Sequence, residues 1–262
     1  MALLLGIIIS TLIANSIIIL SDSHKKHSTA LWILNIVAIT ASGLGIVAIC
    51  RYGIHGVHGR SYLFLTLGLI SWLFADFTLL YSYYALNTEE QVMVSTADAF
   101  WFAGYGFLSL HLFTILRSLY RSIQLRVAIT VAIFCLVFVG YNVHILLSSE
   151  GFLVNSDIAA LVVTLAYPVL DLTLIFPSAL ILLSLRKDYQ QSIPWFLSSF
   201  SLLINAIADD GYVNDFVMRN LENLWRWDLF YVTDFIIMAG ALVWYNIFHI
   251  SHEVKRSRLE LK

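Results

Sequence analysis

Long apolar stretches separated by short polar breaks dominate the chain, and none shows the strict alternation of a membrane β-barrel strand. Eight can be drawn, at about 2–20, 30–50, 61–84, 95–117, 126–147, 157–185, 192–213 and 228–250. A helix needs ~20 such residues to cross ~30 Å of hydrocarbon, with its backbone hydrogen bonds closed internally. The pattern therefore predicts an all-α fold: a polytopic transmembrane helical bundle of about eight spans. The breaks run to about 7–15 residues, so consecutive helices should be antiparallel neighbours, and no break can hold a soluble domain. Residues 1–262 read as a single membrane domain. The longest break, about Asn214 to Trp227, mixes polar and apolar positions and is expected to lie along the outer interface. Trp225, Trp227 and Tyr231 would then be interfacial anchors.

Composition agrees with the pattern. The chain is 60% hydrophobic and 12% charged, with a mean hydropathy of +0.82, where water-soluble domains carry ~25% charge. The formal charge of −2 says nothing about nucleic acid, but no basic domain is present and no nucleic-acid partner is expected. Cys50 and Cys135 fall in different apolar runs and read as small buried hydrophobes rather than a disulfide. Met1 to Leu20 lacks the positive start of a secretory signal and is expected to be a retained helix. Of the 15 Lys and Arg residues, 11 fall on one side: Arg51, Arg60, Arg117, Arg121, Arg126, Arg186, Lys187, Lys255, Arg256, Arg258 and Lys262. The other side has Lys25, Lys26, Arg219 and Arg226. By the positive-inside rule both termini are expected in the cytoplasm of a multi-pass cell-membrane protein.

Two short patterns recur. Ala75-Asp76 is followed by Asp98 with Ala103-Gly104; Ala208-Asp209 is followed by Asp234 with Ala239-Gly240. The offsets are 133 and 136 residues, equivalent to four spans, which preserves orientation. They suggest two parallel four-helix repeats, 1–122 and 123–250, with 251–262 a basic cytoplasmic tail, against a chance recurrence in an Ala- and Gly-rich chain. Small residues at Gly104 and Gly240 would let helices approach closely.

The chemistry lies in the acids. Asp171 sits near the middle of an apolar run, and Asp76 about eight residues, or ~12 Å, from the outer end of its span. An ionisable group at such depth costs ~2.5–3.5 kcal/mol on insertion scales and is a functional-site candidate by default. Asp98 and Asp234 fall one to two turns below the outer surface, and Asp209 and Asp210 nearer to it. Tyr105, Tyr167 and His144 share this outer half, and no Lys or Arg lies at matching depth. Buried carboxylates without such partners either hold a proton or bind a cation. The expected site is an outward-facing acidic cavity containing Asp171, Asp76, Asp234, Asp98, Asp209, Tyr167, Tyr105 and His144, with Asp171 at its floor. Pro168 removes one helix hydrogen bond and could kink the helix to widen it, and Pro177 could act similarly further in. Plainer readings stand beside this. Asp98 in Ser95-Thr96-Ala97-Asp98 suits a helix cap, Asp228 and Asp234 also lie near a helix start, and Asp209 and Asp210 could sit in headgroup water.

Other motifs carry less. His24/His27, His55/His58 and His249/His252 have the i, i+3 spacing that can suit a metal, with His55, His58, His249 and His252 the cytoplasmic candidates. His111 reads as a satisfied core histidine, with haem ligation or proton relay as the alternatives. No span contains a lysine, which excludes a retinal Schiff base. Phosphate-binding loops, nucleophile elbows and zinc-protease motifs are missing. A metal-dependent hydrolase built from His144, Asp76 and Asp209 has no supporting local spacing.

Ser95-Thr96-Ala97-Asp98-Ala99-Phe100-Trp101-Phe102-Ala103-Gly104-Tyr105, followed by Leu108, and Tyr167-Pro168-Val169-Leu170-Asp171-Leu172 resemble motifs of multi-span input regions in prokaryotic signalling proteins. Those regions precede histidine kinases in archaea and diguanylate cyclases in bacteria. The resemblance implies sensing at or in the membrane. This chain carries no kinase, cyclase or PAS-like region, so a cytoplasmic signalling partner is expected. Three functions remain open: a non-enzymatic, sensor-like module binding a small ligand or cation; a proton- or cation-coupled transporter using Asp171 and Asp76; and a structural subunit packed on other membrane chains. All three place the chain in a lipid bilayer.

Overall fold

The computed structural model describes residues 2–85, 94–148, 158–185, 189–218 and 220–249. They form eight long helices: α1 (Ala2–Leu20), α2 (Lys26–Tyr52), α3 (Gly56–Ala85), α4 (Thr96–Leu119), α5 (Leu125–Ser148), α6 (Ile158–Ser184), α7 (Tyr189–Val217) and α8 (Trp225–Trp244). A wider helical turn, Tyr245–His249, continues α8. Seven of the eight are long and apolar enough to cross a membrane. The exception, α7, is 29 residues long and the least apolar, with Asp209, Asp210 and Asp215 in its second half. The chain is a multi-pass helical membrane bundle.

Six helices close a ring in the order α2, α3, α4, α6, α7, α8 and back to α2. Outside it, α1 packs on α8 and α2, while α5 packs on α6 and α7. The order α2-α3-α4 is thus followed by α6-α7-α8; α5 lies beside the second trio, and α1 covers the seam where α8 meets α2.

Along α2 the small residues Ala30, Ala38, Ala41, Ser42, Gly45 and Ala48 face inward with Leu31, Leu34 and Asn35, whereas Trp32, Ile36, Ile39 and Ile46 face out. Lipid tails are as apolar as leucine, so close backbone approach, not removal from water, decides the inner face. The same logic joins α3 to α4: Gly68 lies under Leu108, and Gly104 lies under the Trp72 indole. Almost all of α1 faces out, and it docks through Ile7 against Gly240 and through Asn15, whose amide donates to Thr233 Oγ1 at 3.0 Å.

Between α2 and α3 the chain turns through Gly53 and Gly56, both left-handed at φ of 80° and 72°, a region that favours glycine. His58 therefore lies in the first turn of α3, not in a loop, and stacks on Trp195 with ring centroids 4.9 Å apart. Helix α6 runs unbroken through both Pro168 and Pro177.

Two expectations are corrected. The stretch 214–227 does not form a long surface segment: α7 continues to Val217 and α8 begins at Trp225. Val217 packs on Leu146 of α5, which draws the helix on past the apolar run. Trp227 fits over Gly211 and donates to Asp215 Oδ2 at 2.7 Å, so it staples α7 to α8. Cys50 is exposed rather than buried, because the inner stripe of α2 passes through Ala48; Cys135 is buried.

Candidate functional site

At one end of the ring, where α2, α4, α6 and α8 begin and α3 and α7 finish, lies a cavity of about 400 Å³. Every ring helix contributes to its wall, in stripes of helical periodicity. Helix α3 presents Trp72, Asp76, Leu79 and Tyr83; α4 presents Asp98, Trp101 and Tyr105; α7 presents Asn205, Asp209 and Tyr212. From α8 come Asp228, Tyr231 and Phe235, from α6 Thr164 and Tyr167, and from α2 His27. Spacings of three, four and seven residues put each stripe on one helix face.

The four lining aspartates have different partners. Asp98 closes a capping box at the start of α4, accepting from the Ser95 N–H at 2.6 Å and the Ser95 hydroxyl at 3.3 Å. Its other oxygen accepts from the Tyr167 hydroxyl on α6. The cap and the site are therefore one structure, and both readings of Asp98 hold together. Asp209 accepts from Tyr231 at 2.5 Å through Oδ1 and from Tyr105 through Oδ2. Asp228 pairs with His27 Nδ1 at 3.0 Å, joining the beginnings of α8 and α2. Beside that pair, Lys26 Nζ lies 4.0 Å from the centre of the Trp225 ring.

Asp76 is the least satisfied of the four. The Trp101 indole donates to its carboxylate, but Oδ2 has no hydrogen-bond partner among the described residues, although Asp76 is only 5% exposed. Trp72 Nε1 in turn donates to the Trp101 carbonyl at 3.3 Å, holding the two tryptophans in the same wall. No Lys or Arg lines the cavity among the described residues.

Asp171 and Asp234 lie behind the wall. Asp171 is fully buried, with Oδ1 2.6 Å from the Tyr105 hydroxyl, while its Oδ2 has no partner among the described residues. Just inward, the same pair of helices is bridged by the hydroxyls of Ser109 and Thr173, 2.6 Å apart. Asp234 accepts from Asn205 Nδ2 at 2.6 Å, and Asn205 Oδ1, on the cavity-lining side chain, is left without a partner among the described residues. Asp98 and Asp234, paired by the 136-residue offset, thus have different surroundings.

The remaining candidates are not brought to the cavity. His144 is exposed on α5, with Nδ1 3.4 Å from the Ser148 hydroxyl, because the inner face of α5 runs instead through Asn142 and Leu146. Asp210 is buried beside Asp209, points away from the lining, and has neither oxygen partnered among the described residues. His111 is a core residue of the half away from the cavity, its Nδ1 2.9 Å from the Ser61 carbonyl. His55 is exposed, and His252 lies outside the described residues, as does the side chain of His249. No group of three or more His, Cys, Asp or Glu is arranged to hold a metal ion among the described residues.

Tyr231, expected at the interface, is part of the site; His27, named from the sequence only as half of a metal-type pair, lines it too, as do Trp101, Tyr212 and Asn205, none of which was among the expected site residues. Asn205 and Tyr212 could have been found from their helical spacing to Asp209. His27 could not, since its partner Asp228 is 201 residues away and meets it only on closure of the ring. Comparison of the chain with protein-family models, curated proteins and solved structures gives no match, so the geometry of this cavity carries the functional argument.

Proposed function

We propose that the chain is a non-enzymatic binding module of the cell membrane that takes a small organic cation into the aspartate-lined cavity. The observation that carries this reading is the unpartnered Oδ2 of Asp76, buried in an aromatic wall with no Lys or Arg among the described lining residues. A buried carboxylate oxygen without a partner is costly, and a cationic ligand removes that cost. The walls suit an organic ion better than a bare metal. Trp72, Trp101, Tyr83 and Tyr212 surround the acids, and aromatic faces attract ammonium groups, most strongly when water is excluded. A volume of about 400 Å³ falls within the range of small-molecule sites.

Orientation follows the distribution of basic residues, which puts the cavity mouth outside and both termini in the cytoplasm. In a Cys50→Ser background, Ser82→Cys at the mouth should react in intact cells with a membrane-impermeant thiol reagent; labelling only after lysis would reverse the assignment. The sensor-like role rests on α8, which carries Asp228 and Tyr231 at the cavity and runs the length of the bundle to Tyr245–His249. A shift of α8 on ligand entry would reach a cytoplasmic partner. The Ser109–Thr173 bridge inward of Asp171 favours a second reading, coupled transport, which uptake of labelled methylammonium into proteoliposomes distinguishes.

Binding is tested with tetramethylammonium and methylammonium, titrated calorimetrically into the purified chain in detergent. Saturable binding is expected, and Asp76→Asn should weaken it about 10–100-fold, the loss of one close charge partner. Equal affinity in the variant, or no saturation in the native protein, would remove the basis for the proposal.

A further inference from the structure

Tyr105 Oη lies between two carboxylates, within hydrogen-bond reach of Asp171 Oδ1 and of Asp209 Oδ2. A phenol has one proton to donate. With both acids ionised, one of the two contacts would set lone pair against lone pair. The row of three oxygens is satisfied only when a second proton sits on one of the acids.

The surroundings decide which acid holds it. Asp209 has a second phenol, Tyr231, donating to its other oxygen, and it borders the cavity. Asp171 is fully buried, has no other donor among the described residues, and does not border the cavity. Charge is therefore better placed on Asp209 and the proton on Asp171. Of the other groups facing the pair, Tyr231 on α8 supports charge on Asp209 by donating to it, and Asp210 on α7 disfavours a second charge on Asp171. Asp76 on α3 and Asp234 on α8 face Asp209 and repel its charge, which a bound cation offsets, and Tyr167 on α6 is engaged by Asp98. His27 on α2 is engaged by Asp228. On α5, packed against α6, the titratable groups are Arg126, Cys135, Tyr141 and His144, and only Cys135 is buried.

We infer that Asp171, Tyr105 and Asp209 form a proton relay, and that entry of a cation into the cavity expels the proton held by Asp171. This rests on the binding function proposed above and adds a second, exchanging ion to it. In the exchange the Asp171 proton moves to Tyr105 Oη, the Tyr105 proton moves to Asp209 Oδ2, and Asp209 releases it into the cavity mouth. Tyr105 then donates to ionised Asp171, and the cation in the cavity takes the proton's place in balancing the charge on Asp209. One positive charge enters, one leaves, and the net charge of the site is unchanged. Because linkage is reciprocal, acid should weaken cation binding.

The test uses the full chain in detergent and tetramethylammonium, which has no exchangeable proton of its own. Calorimetric titrations in two buffers of different ionisation enthalpy count protons directly. About one proton should be released per cation bound, and affinity should fall about tenfold per pH unit of acidification while Asp171 holds its proton. Difference infrared spectra should show the carbonyl band of a protonated carboxylic acid vanishing on binding. Asp171→Asn should lack both that band and the proton release, and Asp171→Glu should restore them. Should Asp171→Asn not fold, the proton count and infrared band of the native chain still decide. Binding without proton release, or undiminished release from Asp171→Asn, would overturn the relay and leave the binding function standing. No binding of tetramethylammonium at any pH would overturn both.

Discussion

Gly104→Ala should destabilise the protein and weaken cation binding together, while Gly106→Ala, two residues further on, should do neither. An ideal Cβ at position 104 would lie 2.2 Å from Trp72 Cδ1 and 2.4 Å from its Nε1. The indole cannot retreat freely: it donates to the Trp101 carbonyl, meets the Tyr105 ring edge-on at 5.7 Å, and forms part of the cavity wall. Overpacking of this kind costs about 1–3 kcal/mol. At Gly106 nothing lies within 4 Å of the added methyl, so alanine there should gain about 0.5–1 kcal/mol from helix propensity. Unfolding midpoints in detergent should therefore move in opposite directions. Trp72→Leu, combined with Gly104→Ala, should recover part of the lost stability without restoring binding, since the clash is relieved but the aromatic wall is not rebuilt. Equal midpoints for the two glycine variants would mean that α3 and α4 are not held at this close approach.

Asp209→Ala should have the larger effect on binding. It removes the acceptor shared by Tyr105 of α4, which is buried, and Tyr231 of α8, which is partly buried. Tyr231 loses its acceptor while Tyr105 keeps Asp171, and an unsatisfied hydroxyl costs about 1–3 kcal/mol, so a loss of that size in stability is expected. The charge that balances a cation in the cavity goes with it, and affinity for tetramethylammonium should drop at least about 100-fold. Asp209→Asn separates the two roles. Its amide oxygen still accepts from a phenol, so most of the stability should return while the affinity stays low. An Asn variant that binds normally would make Asp209 a scaffold for the tyrosines and nothing more.

The acids and tyrosines that meet in the cavity were legible because helical spacing is a local property. Trp72 with Asp76, Asp98 with Tyr105, and Asn205 with Asp209 can each be placed on one helix face from the chain alone, and the shared depth of Asp76, Asp98 and Asp209 points to one end of the bundle. Asp171 could be recognised as the deepest acid. Its place behind Tyr105, rather than open on the cavity floor, depends on how α4 and α6 meet. His144 has the right depth but the wrong helix: depth is set along the chain, whereas lateral position is set by packing. Ring closure brought His27 to Asp228, and the seating of Trp227 on Gly211 turned an expected surface segment into two helix ends.

By itself, then, the sequence determined that this chain lives in a membrane as a helical bundle, where each helix runs, and that carboxylates without basic partners gather at one end. Those properties follow from apolar length, backbone hydrogen bonding and 3.6-residue periodicity, all of which act within one segment. Tertiary structure alone decided which faces turn inward, which aspartates border the cavity and which lie behind it, and that Tyr105 stands between Asp171 and Asp209. Polar side chains mark the inner faces, but the apolar residues of inner and outer faces are alike, so hydrophobic pattern alone does not make that choice. It rests on the close fit of small residues, such as Gly104 beneath Trp72, between helices distant in the chain.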